Sequence, residues 1–388
     1  MIDLKNTEIA FISKSDKDLR KARLMYKIMA SRTITRSAKV LAKFAQSIRF
    51  PVNWAVKPTI YQQFVGGETI EECKKTVENN AKFNVKSILD YSVEGGESKE
   101  AIENALQETL RTIDNAANNP NIAFAVFKPT AFTTEHILDK MGAGEPLTEA
   151  EKVEVDDFIK RVDTLCKKAF DLNVRILIDA EDSWYQNFID ETVEKMMQKY
   201  NKEKAIVFNT WQMYRWDRLD HLKMSYQKAL DGNYFLGAKF VRGAYMEKER
   251  ARALKMGYKS PICDTKEETD KSYNDALRFS FEHRDKVSIF NGTHNEESSL
   301  LLADLMLKEN VNPALETIWF SQLLGMSDHI SFNLAKHGFN VTKYLPYGPV
   351  KHVLPYLFRR AEENTSVKGQ TGRELSLLSQ EAKRRKSK

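Results

Sequence analysis

Eight short runs rich in β-branched and aromatic residues, each followed by a polar stretch and then a helical pattern, constrain this 388-residue chain more than any other feature. They are SILDYSV (87–93), AFAVFKPT (123–130), RILIDAE (175–181), AIVFNTWQ (205–212), FLGAKFVRG (235–243), VSIFNGTH (287–294), TIWFSQLLG (317–325) and VTKYLPYG (341–348). Their starts lie 24 to 52 residues apart, which leaves room in every interval for a strand, a crossover helix and loops. Eight consecutive strand–helix units predict an α/β fold, a (β/α)8 barrel. An open doubly wound sheet is the competitor, but about six strands are usual there and no GxGxxG follows any of the runs. Length does not force a second domain, since such barrels use roughly 200 to 400 residues as one unit.

The flanking segments read differently. Residues 1–85 are expected to form a helical arm, with YKIMASRTITRSAKVLAKFAQSIRF (26–50) placing apolar residues at helical spacing between basic ones. The barrel then occupies 86–375, and 376–388, ending in EAKRRKSK, reads as a basic tail. A solvated end is the plain expectation for that tail, with contact to anionic lipid as the alternative. Between the second and third runs, Thr148 precedes Glu151 by three residues, the spacing of a helix-capping box. Between the fifth and sixth, ERARALKMGYKSPICDTKEETDKSYNDAL (249–277) is expected to order as a loop over the barrel mouth.

Composition excludes several classes. Hydrophobic residues at 42% and charged ones at 29% suit a globular core, not a disordered or collagen-like chain. A formal charge of +6, from 60 basic against 54 acidic residues, is too mild to mark a nucleic-acid binder. Three scattered cysteines offer neither a disulfide framework nor a CxxC site, which predicts a reducing, cytoplasmic setting. No run approaches ~18 consecutive apolar residues, and the first residues lack a signal-peptide core. Peripheral contact at the inner face of a membrane stays open as a further reading.

In a barrel, chemistry gathers where strands end and βα loops begin. Here those positions hold Glu94, Lys128, Asp179 with Glu181, Gln212, Arg242, Thr293-His294-Asn295, Ser321-Gln322 and Tyr344. One polar strand end is unremarkable; eight in succession describe the rim of a pocket. Just beyond the last run, YLFRRAEEN (356–364) offers Arg359 and Arg360, a pair suited to gripping a carboxylate, with Tyr356 one turn earlier. A solvated basic turn is the bland alternative. Lys128 serves either as a charge partner for an anion, as a Schiff-base nucleophile, or as a lysine snorkelling from the barrel end. Asp179 at a strand terminus needs a partner, and Lys128 or an arginine would supply one. Lys239 and Val241 share a strand face, with Arg242 and Gly243 at the turn. Seven scattered histidines without HxH or HExxH disfavour a metal site.

Taken together, ILDYSVEG, VFKPTAF, ILIDAED, VFNTWQMY, KFVRGAYMEKERARA, TDKSY, GTHN, FSQLLGM, KYLPYGPV and YLFRRAEEN follow one another in an order and spacing that resembles the proline dehydrogenases, from about residue 85 to about 370. The resemblance implies a distorted (β/α)8 barrel with FAD as cofactor and L-proline as substrate, oxidised to Δ1-pyrroline-5-carboxylate by hydride transfer from C5 to flavin N5. It implies that Arg359, Arg360 and Lys128 bind the proline carboxylate, that Tyr344 and Tyr356 pack on its ring, and that Asp179 orders the basic cluster. Gln212, Val241, Arg242, Gly243, Ala244, Lys266, Thr293, His294 and Asn295 would bind FAD. Lys239 takes a place where many members carry arginine near N5, and Glu94 matches a residue that closes the site over the first arginine. The resemblance further implies a quinone as electron acceptor. A separate pyrroline-5-carboxylate dehydrogenase would act downstream, since no second Rossmann-like domain is seen. Hydroxyproline dehydrogenase, a Schiff-base aldolase using Lys128, and a flavin-free amino-acid-binding protein are the alternatives.

Overall fold

The computed structural model describes residues 2–29, 56–92, 98–366 and 370–387. All eight runs are strands: β1 (Val85–Tyr91), β2 (Ile122–Phe127), β3 (Arg175–Ile178), β4 (Val207–Gln212), β5 (Leu236–Val241), β6 (Val287–Gly292), β7 (Ile318–Leu323) and β8 (Val341–Tyr347). They close into a parallel barrel in sequence order, as the strand–helix alternation predicts. By compactness the chain divides into two units, Val93–Ser321 and the combination of Met1–Ser92 with Gln322–Lys388.

The unit spanning Val93–Ser321 carries β2 to β6, most of β7 and the helices between them. These are α4 (Lys99–Asn118), α5 (Glu135–Ala143), α6 (Glu149–Asp171), α7 (Ser183–Tyr200), α8 (Arg218–Asp231), α9 (Met246–Met256), α10 (Lys266–Glu282) and α11 (Glu296–Lys308), numbered after three helices of the other unit. The capping box at α6 is present, Thr148 Oγ1 accepting from the Glu151 amide at 3.3 Å while Glu151 accepts from the Thr148 amide at 2.8 Å. Thr265 and Glu268 make a second such box on α10. The loop expected over 249–277 needs correction: the segment is largely helix, α9 and α10, around the connection 257–265. Alternation of period two sets the strand interiors. Phe124 meets Phe208, Phe290 and Trp319 edge-to-face, at 5.6, 5.1 and 5.3 Å between ring centroids, forming an aromatic layer. One and two alternations further along, the same faces reach the charged strand ends.

In the other unit β1 and β8 pair in register from Val85 with Val341 to Tyr91 with Tyr347. Around them lie α1 (Thr7–Ala10), α2 (Asp16–Met29), α3 (Ile70–Ala81), α12 (Asp328–Lys336), α13 (Val350–Ser366) and α14 (Gln370–Lys386). Apolar residues of both chain ends, among them Phe11, Tyr26, Leu354, Leu357 and Leu378, share one core. The tail expectation needs correction, because 376–386 belongs to α14. Arg384 and Arg385 both hydrogen-bond the buried Glu381, and Arg385 reaches Asp16 at 2.9 Å. Tertiary pairing, not solvent, takes these charges. Most of 26–50, the segment behind the helical-arm expectation, lies outside the described residues.

Candidate active site

Three neighbouring strands build a part-buried ion cluster. Lys128 closes β2, Asp179 closes β3 and Lys239 lies within β5, each inward by alternation from the aromatic layer. Asp179 accepts from Lys128 Nζ at 2.7 Å through one oxygen and from Lys239 Nζ at 2.5 Å through the other. The Lys239 ammonium lies 6.0 Å from the centre of the Phe290 ring, so its stem rests on the aromatic layer. Burial works to raise the Asp179 carboxyl, but the two lysines outweigh it and hold it well below the usual carboxylate range. The ion pair of Lys128 with Asp179 follows the sequence expectation; the second lysine is an addition to it. Beside the cluster, Glu181 accepts from Thr130 at 2.9 Å and from the Tyr245 hydroxyl at 3.1 Å.

The exit of β5 forms a second constellation. Gly243 has φ of 130°, and a Cβ there would lie 2.4 Å from the Tyr214 ring, so only glycine serves at this turn. The preceding Arg242 is fixed on every side. Its guanidinium donates to Asp270 at 2.6 Å, Thr293 at 2.6 Å and Ser298 at 3.1 Å, and lies 4.4 Å from the Tyr273 ring centre. Lys266 pairs with the same Asp270. Burial raises that carboxyl, and the contacts of Lys266 and Arg242 bring it down below its ordinary value. Thr293 Oγ1 accepts from the Asn295 amide at 3.1 Å, and the Asn295 side chain caps α11, accepting from the Ser298 amide at 2.9 Å. His294 sits between them. At the end of β4, Gln212 is buried and its Oε1 has no hydrogen-bond partner. An unsatisfied acceptor of this kind suits a ligand that brings an N–H or O–H. Arg242 and the N-terminus of α11 together suit an anionic group such as a diphosphate. Val241 and Ala244 complete this exit, Val241 giving its carbonyl to the Met213 amide at 2.8 Å.

In the unit that includes both chain ends, Tyr344 is buried on β8 and its carbonyl accepts from the Leu324 amide at 2.9 Å. Tyr356, Arg359 and Arg360 fall on α13. Arg360 is buried with its guanidinium 5.1 Å from the Tyr356 ring centre, while Arg359 is half-buried. Glu94 lies outside the described residues. Sequence reading gave no role to Asp270, Tyr273, Thr130 or Tyr245. Alternation exposes the strand-end residues, whereas these four act from helices and turns that come close only in the fold. No cluster of potential metal ligands occurs among the described residues.

The description "Proline dehydrogenase" belongs to a family model that matches residues 73–373, a span that includes every one of these site residues. The chain belongs to the proline dehydrogenase family. It is 32% identical over 430 residues to proline dehydrogenase 1, mitochondrial, of Dictyostelium discoideum, covering 99% of this chain and 75% of that protein. It is also 35% identical over 322 residues to the carbapenem antibiotics biosynthesis protein CarD of Pectobacterium carotovorum subsp. carotovorum, covering 83% of each. Among solved structures, proline utilization A from Bdellovibrio bacteriovorus aligns with a TM-score of 0.73 at 18% identity. That alignment covers 95% of this chain and 40% of that one, so the proline dehydrogenase fold here spans two fifths of the larger protein.

Proposed function

We propose that the chain is an FAD-dependent proline dehydrogenase that oxidises L-proline to Δ1-pyrroline-5-carboxylate and hands the electrons to a quinone. The observation that carries this reading, within the family, is the Lys128–Asp179–Lys239 cluster. Two ammonium groups face one carboxylate at part-buried strand ends, where charge acts more strongly on an anion than it does in water. Proline brings a carboxylate to such a site. We assign its binding to Arg359 and Arg360 with added attraction from Lys128, and packing on its ring to Tyr344 and Tyr356. Glu94 is assigned to closing the site over the substrate.

For FAD, the unpartnered Gln212 acceptor and the fixed Arg242 beside the α11 N-terminus fit a group with N–H donors and a diphosphate. Val241, Ala244, Lys266, Thr293, His294 and Asn295 would complete that cradle. When bound, FAD supplies the two-electron oxidant for the C5 hydride. The protein's own work is then positioning and charge: Lys239 places a cation where negative charge develops, and Asp179 fixes the two lysines in place. Loss of hydride from the neutral amine leaves a C5=N iminium, which sheds its N–H proton as the pyrroline.

Turnover with L-proline and a dye acceptor, with the pyrroline trapped as its o-aminobenzaldehyde adduct, tests the reading. Proline-dependent adduct that requires flavin supports it; absence of adduct from flavin-loaded protein refutes it.

A further inference from the structure

The TDKSY stretch (269–273) lies on α10, away from every strand end, yet two of its residues meet Arg242. Asp270 and Tyr273 are three positions apart, hence on one face of the helix. Asp270 accepts through a single oxygen from both Nε, at 2.9 Å, and Nη2, at 2.6 Å, of the Arg242 guanidinium. The guanidinium carbon stands 4.4 Å from the centre of the Tyr273 ring. That ring is fully buried, and its hydroxyl is within hydrogen-bond reach of the Phe240 carbonyl, at 3.1 Å, and of the Asn291 side-chain oxygen, at 2.7 Å. A carboxylate thus holds one edge of the guanidinium and an anchored ring lies beside it. The remaining nitrogen, Nη1, is aimed at Thr293 Oγ1, 2.6 Å away at the strand exit assigned to the flavin.

An arginine side chain has many rotamers, and ordering it on binding costs affinity unless the protein has already ordered it. The socket on α10 does so for Arg242. The other contact of Asp270, with Lys266 one turn earlier, is of a different kind. The Lys266 side chain is 64% exposed against 23% for Arg242, and an exposed ion pair fixes little.

We propose that Asp270 is a positioning residue that sets the affinity for FAD by holding Arg242 in the orientation that meets the cofactor's diphosphate. The inference deepens the assignment of Arg242 to FAD above and rests on it. Sign separates it from plain electrostatics. A carboxylate repels a nearby diphosphate, so by direct charge alone the loss of Asp270 would tighten FAD binding. Positioning through Arg242 makes the same loss weaken it.

The test is a double-mutant cycle on FAD affinity, read from the change in flavin fluorescence as flavin-stripped protein is added to FAD. It compares the parent, Asp270→Asn, Arg242→Gln and the variant with both changes. Asp270→Asn is expected to bind FAD about tenfold or more weakly than the parent, the scale of a lost charge-assisted contact. In the Arg242→Gln background the same change should alter affinity by less than about twofold, because the group it orients is gone. Asparagine keeps the shape of aspartate; if that variant does not give the parent's circular dichroism, Asp270→Ser takes its place in the cycle. Equal or tighter binding by Asp270→Asn overturns the proposal. So does a loss of the same size in both backgrounds, which is what a merely structural role produces. A parent that takes up no FAD is the failure of the flavin reading itself, and the inference falls with it.

Discussion

Arg360 is the residue whose removal should be felt most cleanly at the substrate. It is buried, and a charge-assisted contact to a carboxylate is worth about 1.5 to 3 kcal/mol, so Arg360→Ala is expected to raise KM for proline roughly ten- to a hundredfold. An unchanged KM in steady-state kinetics would remove the clamp assignment. Tyr344 offers a second check: a ring packed near proline C4 leaves little room for a hydroxyl, so kcat/KM should favour proline over 4-hydroxyproline. Equal values would move the substrate to the hydroxyproline alternative. At this scale the sequence was informative where alternation applies. Lys128, Asp179, Gln212 and Arg242 are readable as strand ends because a strand must present its polar side chain where the barrel opens. Lys239 is legible in position but not in partner, since 60 residues separate it from Asp179 and the two meet only across β4, where the curl of the barrel turns both side chains inward. Asp270 and Tyr273 carry no such signal, being ordinary polar positions on a helix until Arg242 lies against them.

Among the elements, the strands were the easiest to read and the terminal helix the hardest. Each strand is a local run of apolar and β-branched residues with a turn behind it, a pattern that needs no distant partner. The basic stretch of α14 looks solvated because one of its neutralising groups lies elsewhere, Arg385 meeting Asp16 across 369 residues of sequence, and because the burial of Glu381 shows only in the fold. Its hub is Glu381. Burial works to raise that carboxyl, but hydrogen bonds from Arg384 and Arg385 outweigh it and pull it down to about 2. A carboxyl lower in the folded than in the unfolded state stabilises fully above its unfolded value of 4.5, and loses that contribution as pH falls toward 2. Glu381→Gln should therefore flatten the loss of thermal stability between those pH values and lower Tm at neutral pH. A variant whose acid unfolding curve keeps the parent's slope would show that the α14 anchor does not depend on this charge. Gly243 belongs to the same scale. Gly243→Ala forces a side chain into the Tyr214 ring at a left-handed φ, a strain of about 1 to 3 kcal/mol, and is expected to lower Tm and weaken flavin retention. Retention and Tm equal to the parent's would mean that Tyr214 yields without cost.

For the whole molecule, the barrel explains why one chain can hold an oxidant and a small anionic substrate: parallel strands deliver their C-terminal ends to one face, whatever their separation in sequence. The central claim is that those ends hold a flavin which proline reduces. It is tested most directly by an anaerobic absorption spectrum of the purified protein across the flavin bands, before and after L-proline. Flavin bands that bleach on adding proline are the expected result. Bands that persist with proline, or a protein that takes up no FAD, would contradict the account.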